Sequence, residues 1–96
     1  MDIWIKDLMS RLERKKAQTL FSEHTAKDKN LTFEDVDNAL KTVQIGKVDE
    51  EKSNQEKERI CFKNYFDKKG QTYFVVAEYC LDFIKIITVN KKKGKY

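Results

Sequence analysis

The stretch "FIKIITVNKKKGKY", residues 83–96, ends in Lys91, Lys92, Lys93, Lys95 and Tyr96. Ammonium groups clustered beside a tyrosine are the means of holding a polyanion and stacking a base. The same run also reads as solvating charge at the end of a strand, and Tyr96 reads equally as a hydrophobic anchor. His24 is the only histidine. Histidine is the side-chain type suited to proton transfer near neutral pH, although a single histidine is commonly a helix-end or core residue. Glu78 is the carboxylate that strand pairing brings beside cations, as derived below. Cleaving RNA without a metal needs a base for the 2′-hydroxyl, cations for the charge gathering on phosphorus and an acid for the leaving 5′ oxygen. Lysines, His24, Glu78 and Tyr96 are the residue types for those three tasks.

Other chemistries lack their parts. There is no glycine-rich phosphate loop, no paired catalytic carboxylates and no nucleophile elbow. Cys61 and Cys80 with His24 make neither a disulfide scaffold nor a zinc site, so no metal or other cofactor is expected. The 96 residues carry 20 Lys and Arg against 16 Asp and Glu, a net charge of +4, which favours an anionic partner. No apolar run approaches the roughly 20 residues of a membrane span, and "MDIWIKDLM" is too acidic for a signal peptide. A single domain, 1–96, in the cytoplasm and without membrane attachment, is the resulting expectation.

The elements that position these residues follow from periodicity. Trp4, Ile5, Leu8, Met9 and Leu12 recur at helical spacing and predict an amphipathic helix over 2–17. "TLFSEHTAKDKN" fits either a short extended piece or a helical turn. "LTFEDVDNALKTV" predicts a second helix: Thr32 and Asp35 resemble a capping box, and Phe33, Val36, Leu40 and Val43 form a stripe. "DEEKSNQEKE", 49–58, has no apolar residue and predicts a solvated, disordered loop. From Glu58 the period becomes two, and "RICFKNYF", "TYFVVAEYC" and "FIKIITVN" read as strands. "DKKG", 67–70, suits a hairpin loop with Gly70 left-handed, and Leu81–Asp82 a tight turn. The predicted fold is α+β: two N-terminal helices on one face of an antiparallel sheet of three strands, or four if "VQIGKV" joins.

Hairpins at those turns set Glu78 opposite both Arg59 and Lys85, Lys63 opposite Phe74, and Cys61 opposite Val76. One face then carries Arg59, Cys61, Lys63, Phe74, Val76, Glu78, Lys85, Ile87 and Val89. The other, apolar face carries Ile60, Phe62, Tyr73, Val75, Ala77, Tyr79, Ile84 and Ile86 and predicts the side covered by helices. The charged row is either an ordinary cross-strand ion pair or a groove whose cations hold phosphates while Glu78 or His24 moves a proton. Cys61 and Cys80 fall roughly 13 Å apart, too far for a bridge. Lysines that only solvate a strand end add little to a core, so a chain ending at Asn90 is predicted to fold.

"SEHTAKDKNLTFEDVDNAL", "FVVAEY" and "DFIKIITVNKKKGKY" together resemble a family of small domains of unknown function. Its layout is similar to the RelE, ParE and BrnT toxins of toxin–antitoxin systems. The likeness covers residues 20–96, with the first helix, 1–17, as an addition. The positions four and eight residues after the family's histidine, usually arginine, are Asp28 and Thr32 here. The resemblance implies a RelE-like, metal-independent endoribonuclease that acts on RNA and inhibits translation, with a cognate antitoxin as partner. It assigns phosphate contacts to Lys63, Lys85, Lys91, Lys93 and Tyr96. With the row and tail residues added, the candidate set is His24, Glu78, Lys85 and Tyr96 for chemistry, and Arg59, Lys63, Lys91, Lys92, Lys93 and Lys95 for RNA. The alternative is a non-catalytic module that uses the same basic face to bind nucleic acid or a partner protein.

Overall fold

Thr32 and Asp35 form the capping box that their spacing predicts. The Thr32 hydroxyl accepts from the Asp35 N–H at 3.1 Å, and the Asp35 carboxylate accepts from the Thr32 N–H at 3.1 Å. They start the longest helix in a computed structural model that covers residues 1–96. Along the chain run α1 (Ile3–Arg11), β1 (Gln18–Phe21), α2 (Glu23–Ala26), α3 (Phe33–Ile45), β2 (Lys47–Asn54), β3 (Arg59–Phe66), β4 (Gln71–Tyr79) and β5 (Phe83–Lys93). The fold is α+β with a single five-stranded mixed sheet in the order β1-β5-β4-β3-β2. β1 lies parallel to β5 and the other neighbours are antiparallel. The sheet therefore has five strands rather than three or four, and it is not wholly antiparallel.

The core joins the apolar sheet face to the helices. Ile60, Phe62, Tyr73, Val75, Ala77, Tyr79, Ile84 and Ile86 form one buried cluster with Ile5 and Leu8 of α1 and Ala39 and Val43 of α3. Fully burying aliphatic side chains of this kind contributes about 1.5–3 kcal/mol each, which is what holds α1 in place. The opposite face of the sheet is called the outer face below.

α1 stops at Arg11, short of the predicted end at residue 17, because Arg14 is drawn elsewhere. Its guanidinium donates to the carbonyls of Gly46 at 2.6 Å and Val43 at 3.4 Å and lies over the Phe62 ring at 4.9 Å. α3 has no basic residue in its own last turn, so Arg14 supplies the cation that suits a helix C-terminus. Gly46 follows α3 where a side chain has no room: a Cβ there would strike the Thr42 carbonyl oxygen and lie 2.8 Å from that of Lys63.

The ambiguous stretch after residue 17 contains both a short strand, β1, and a short helix, α2. The predicted loop at 49–58 is instead largely β2, the edge strand beside β3, with a turn at 55–58. After Asp49 pairs with Cys61, the register shifts before Asn54 pairs with Arg59, so residues 50–53 arch away. Ser53 ties the arch down: its hydroxyl accepts from the Cys61 N–H at 3.0 Å and donates to the Asp49 carbonyl at 2.9 Å. An edge strand rich in charge resists pairing with other chains, and for the same reason it leaves no apolar period to read.

The β3–β4 pairing matches the expected register throughout, from Arg59 opposite Glu78 to Phe66 opposite Gln71. In β4–β5 it holds from Tyr79–Ile84 to Ala77–Ile86, then slips by one residue, with Val76 opposite Thr88. Ile87 is the extra residue of a β-bulge. The bulge is held from outside the strand pair: the buried Thr25 donates to the Ile87 carbonyl at 2.6 Å, and Ser22 donates from its hydroxyl to Thr25 and from its N–H to the Ile86 carbonyl. A one-residue slip moves every later side chain to the other face. Val89, expected on the charged face, packs against the core instead, and Lys91 opposite Tyr73 and Lys92 opposite Thr72 exchange sides.

Candidate nucleic-acid interface

Across the middle of the outer face runs the predicted charged row. Arg59 Nε donates to Glu78 Oε1 at 3.0 Å, and Lys85 Nζ lies 3.3 Å from Glu78 Oε2. Partial burial pushes the Glu78 carboxyl up, but the hydrogen bonds and charges of Arg59 and Lys85 outweigh it and hold the group below its ordinary value. A carboxylate held this way is a weak base at neutral pH. Two cations on one anion leave the row with a single net positive charge.

Residues 91–96 do not form a free tail. β5 stays paired with β4 through Lys93 opposite Gln71. Gly94, at φ +102, then turns the chain onto the outer face, a backbone conformation that glycine adopts without steric cost. Its N–H donates to the Gly70 carbonyl at 2.8 Å, and its carbonyl accepts from the Thr72 hydroxyl at 2.7 Å. The Tyr96 N–H donates to the same hydroxyl at 3.3 Å, and the Tyr96 ring meets Phe74 edge-on with centroids 5.9 Å apart.

The result is a surface of lysines set on aromatic rings. Lys52, at the crest of the β2 arch, sits 3.7 Å above the Phe74 centroid. Lys92 lies 5.6 Å from Phe74 and 5.8 Å from Tyr96, and Lys95 lies 5.6 Å from Tyr65. Lys47 and Lys63 are direct cross-strand partners at the same end of the face. None of Lys47, Lys52, Lys63, Lys92 or Lys95 has a carboxylate within ion-pair distance. Together Lys47, Lys63, Asn64, Tyr65, Thr72, Lys95 and Tyr96 line a pocket of about 280 Å3.

The candidate residues therefore separate into groups. Arg59, Glu78 and Lys85 form the ion-paired row, while Lys63, Lys92, Lys95 and Tyr96 converge at the other end of the outer face. Lys93 pairs opposite Gln71 and is exposed without an ion pair. His24 is exposed on α2, which directly follows β1 at the edge of the sheet opposite β2, and its side chain makes no hydrogen bond to Glu78, Lys85 or Tyr96. Sequence reasoning passed over Lys47, Lys52 and Tyr65. Tyr65 shares the parity of Lys63 along β3, a signal already present; Lys52 lies in the stretch that reads as a loop, and Lys47 in "VQIGKV", read only as a possible fourth strand with no register assigned. No group of three or more His, Cys, Asp and Glu residues is placed to hold a metal ion.

Lys91 has the most altered position. Facing the helices, its Nζ donates to Asp35 at 3.0 and 3.3 Å, and the Tyr73 hydroxyl donates to the same carboxylate. Burial alone would raise the Asp35 carboxyl. The Tyr73, Thr32 and Lys91 hydrogen bonds and the Lys91 charge prevail and bring it down to about 2 from 3.8. Because the folded value lies below the unfolded one, this stability is present in full above the unfolded value and lost as pH falls towards the folded one. Its size is about 2 kcal/mol. Urea denaturation followed between pH 5 and pH 2 should show that loss, and Asp35→Asn should flatten the profile in the same window. An unchanged acid profile in the variant would remove Asp35 as its source.

No family model, curated protein or solved structure matches the chain. No helix is long and apolar enough to cross a membrane.

Proposed function

We propose that this protein binds RNA on the outer face of its sheet, and that RelE-like, metal-independent cleavage is the activity this binding serves. The observation that carries the reading is the surface on which Lys52, Lys92 and Lys95 sit over the Phe74, Tyr96 and Tyr65 rings with no carboxylate partner. Cations that track a phosphate backbone, interleaved with rings on which bases stack, are the two components of single-strand binding surfaces. Lys63, Lys95 and Tyr96 are also members of the set that the RelE-like resemblance and the tail assign to RNA. In the cleavage reaction a 2′-hydroxyl attacks the neighbouring phosphorus and the 5′ oxygen leaves. Lys47, Lys63 and Lys95 would balance the added charge, the Tyr96 phenol would give its proton to the leaving 5′ oxygen, and solvent water would take the proton of the 2′-hydroxyl and return one to the phenolate.

A non-catalytic RNA-binding module is the second reading, favoured by one observation: Glu78, the carboxylate nearest the cations, is engaged by both Arg59 and Lys85. One preparation separates the readings. RNA degradation in EDTA is expected for the parent chain, with loss of cleavage but retention of binding in Tyr96→Phe. His24→Ala is expected to keep its activity, since His24 stands apart from the lysine cluster. Binding without cleavage by the parent would establish the module reading instead. Absence of binding would defeat both.

A further inference from the structure

We propose that Lys47 and Lys63, with Lys95 closing the third side, form a seat for a single phosphate group of an unpaired RNA strand, the neighbouring base stacking on Tyr65 or Tyr96. This deepens the RNA-binding reading above and rests on it for the identity of the strand.

The starting point is a cost built into the sheet. Lys47 and Lys63 face each other directly across β2 and β3, and like charges in that relation destabilise a strand pair. Several other cations that lie beside a neighbouring element have a carboxylate partner: Glu78 takes Arg59 and Lys85, Asp35 takes Lys91, Glu58 takes Arg11 and Glu34 takes Lys69. Here no carboxylate does so. Asp49, Glu50 and Glu51 line a neighbouring pocket with Lys47 and Lys63, yet none of the three makes an ion pair with either lysine; Glu50 pairs with the N-terminal amine instead. Lys63 is half-buried, so solvent screens it less than it would a free surface charge. Gly94 brings the chain back so that Lys95 joins the same pocket rather than extending into solvent. An anion is the component that would relieve the repulsion.

The pocket's size and walls indicate which anion. At about 280 Å3 it lies near the lower limit of small-ligand sites, which suits one nucleotide unit and not a duplex groove. Tyr65 and Tyr96 offer ring faces beside the ammonium groups, and Asn64 and Thr72 supply neutral hydrogen-bonding groups. A base can stack on a tyrosine only when it is not already stacked in a helix. The site thus selects a phosphate followed by a splayed base, the state of a single strand.

The test joins two measurements on the intact protein. In the first, a short single-stranded RNA is titrated over a range of salt concentrations against the parent, Lys47→Gln with Lys63→Gln, and the control Lys29→Gln. If both lysines hold one phosphate, the double variant should lower the slope of log K against log salt by about 0.7, one phosphate's worth, rather than about 1.4. It should also lose the parent's preference for the single strand over the same RNA annealed to its complement. In the second, inorganic phosphate is titrated into isotope-labelled protein, where the resonances of Lys47, Lys63, Lys95 and Tyr65 should move together. The free double variant should also melt higher than the parent by about 2 °C, since the opposed charges are gone. RNA binding with an unchanged slope in the double variant would overturn the seat while leaving the outer-face reading intact. Phosphate shifts at the seat in a protein that binds no RNA would do the reverse. A protein that shows neither would refute both.

Discussion

A chain ending at Asn90 should be less stable than the full chain by about 3–4 kcal/mol, with a melting temperature lower by roughly 15–25 °C. From the sequence alone, truncation there looks harmless. The structure changes the premise of that expectation, because Lys91–Lys93 belong to β5 and Gly94–Tyr96 fold back onto Thr72 and Phe74. Lys91 goes, leaving the Asp35 side chain, only 3% exposed, without its cation. Removing one partner of a buried ion pair costs about 3–5 kcal/mol. Lys91 is itself 44% exposed, and Tyr73 and Thr32 still donate to Asp35, so the lower end of that range applies. Thr72, buried on β4, also loses its acceptor at Gly94 and its donor at Tyr96, which adds about 1 kcal/mol. For a domain whose total stability is on the order of 5–15 kcal/mol this is a large fraction. Urea denaturation followed by circular dichroism measures it. A truncated chain with the midpoint of the parent would mean that the Asp35 network contributes nothing to folding. Loss of RNA binding on this truncation therefore says little by itself about the lysines.

The parts of the fold legible in the sequence are those in which local chemistry and burial agree. α3 carries its own start signal in Thr32 and Asp35. The β3–β4 register follows from an apolar alternation joined by a turn with Gly70 at φ +61, and the Arg59–Glu78–Lys85 row follows from that register. What escaped detection depends on distant partners. β1 is too short to show a period and exists through its parallel contact with β5. β2 has no apolar alternation because an edge strand has solvent on one side. α1 ends where Arg14 leaves to serve α3.

The bulge at Ile87 had the widest consequences for the site. Nothing in "IKIITVNKKK" marks an extra residue, for its cause is Thr25, far away in sequence. Continued without a break, the pairing keeps the right residue types and inverts their sides beyond Ile86. Lys63, Lys92, Lys95 and Tyr96 were recognisable as candidates from type and position. That Lys92 belongs with Tyr96, and Lys91 with a buried aspartate, could be learned only from the register. Lys47 and Lys52 were hidden for a simpler reason: Lys52 lies in a stretch that reads as a loop, and Lys47 in a possible strand whose partner and register the sequence does not indicate.

That inversion sets two adjacent lysines different tasks, and single substitutions should separate them. Lys91→Gln should lower stability by about 2–3 kcal/mol, since Asp35 keeps its backbone and Tyr73 donors but loses a charge-assisted bond. Binding of RNA by the folded fraction should be unaltered, because Lys91 faces the helices. Lys92→Gln should leave stability within about 0.5 kcal/mol, as expected for an exposed side chain without an ion pair. Its effect should fall on RNA: a salt slope shallower by about 0.7, and affinity lower by about fivefold at 0.1 M salt if the non-ionic contacts are intact. The losses should be alike for all sequences, since a phosphate contact carries no base information. Denaturation and salt-dependent binding on both variants form a two-by-two comparison in which each lysine alters only one readout. If Lys91→Gln weakens binding while Lys92→Gln weakens folding, the bulge is absent and the strand runs straight. If neither change affects RNA, the lysine-covered rings of the outer face are not where nucleic acid is held.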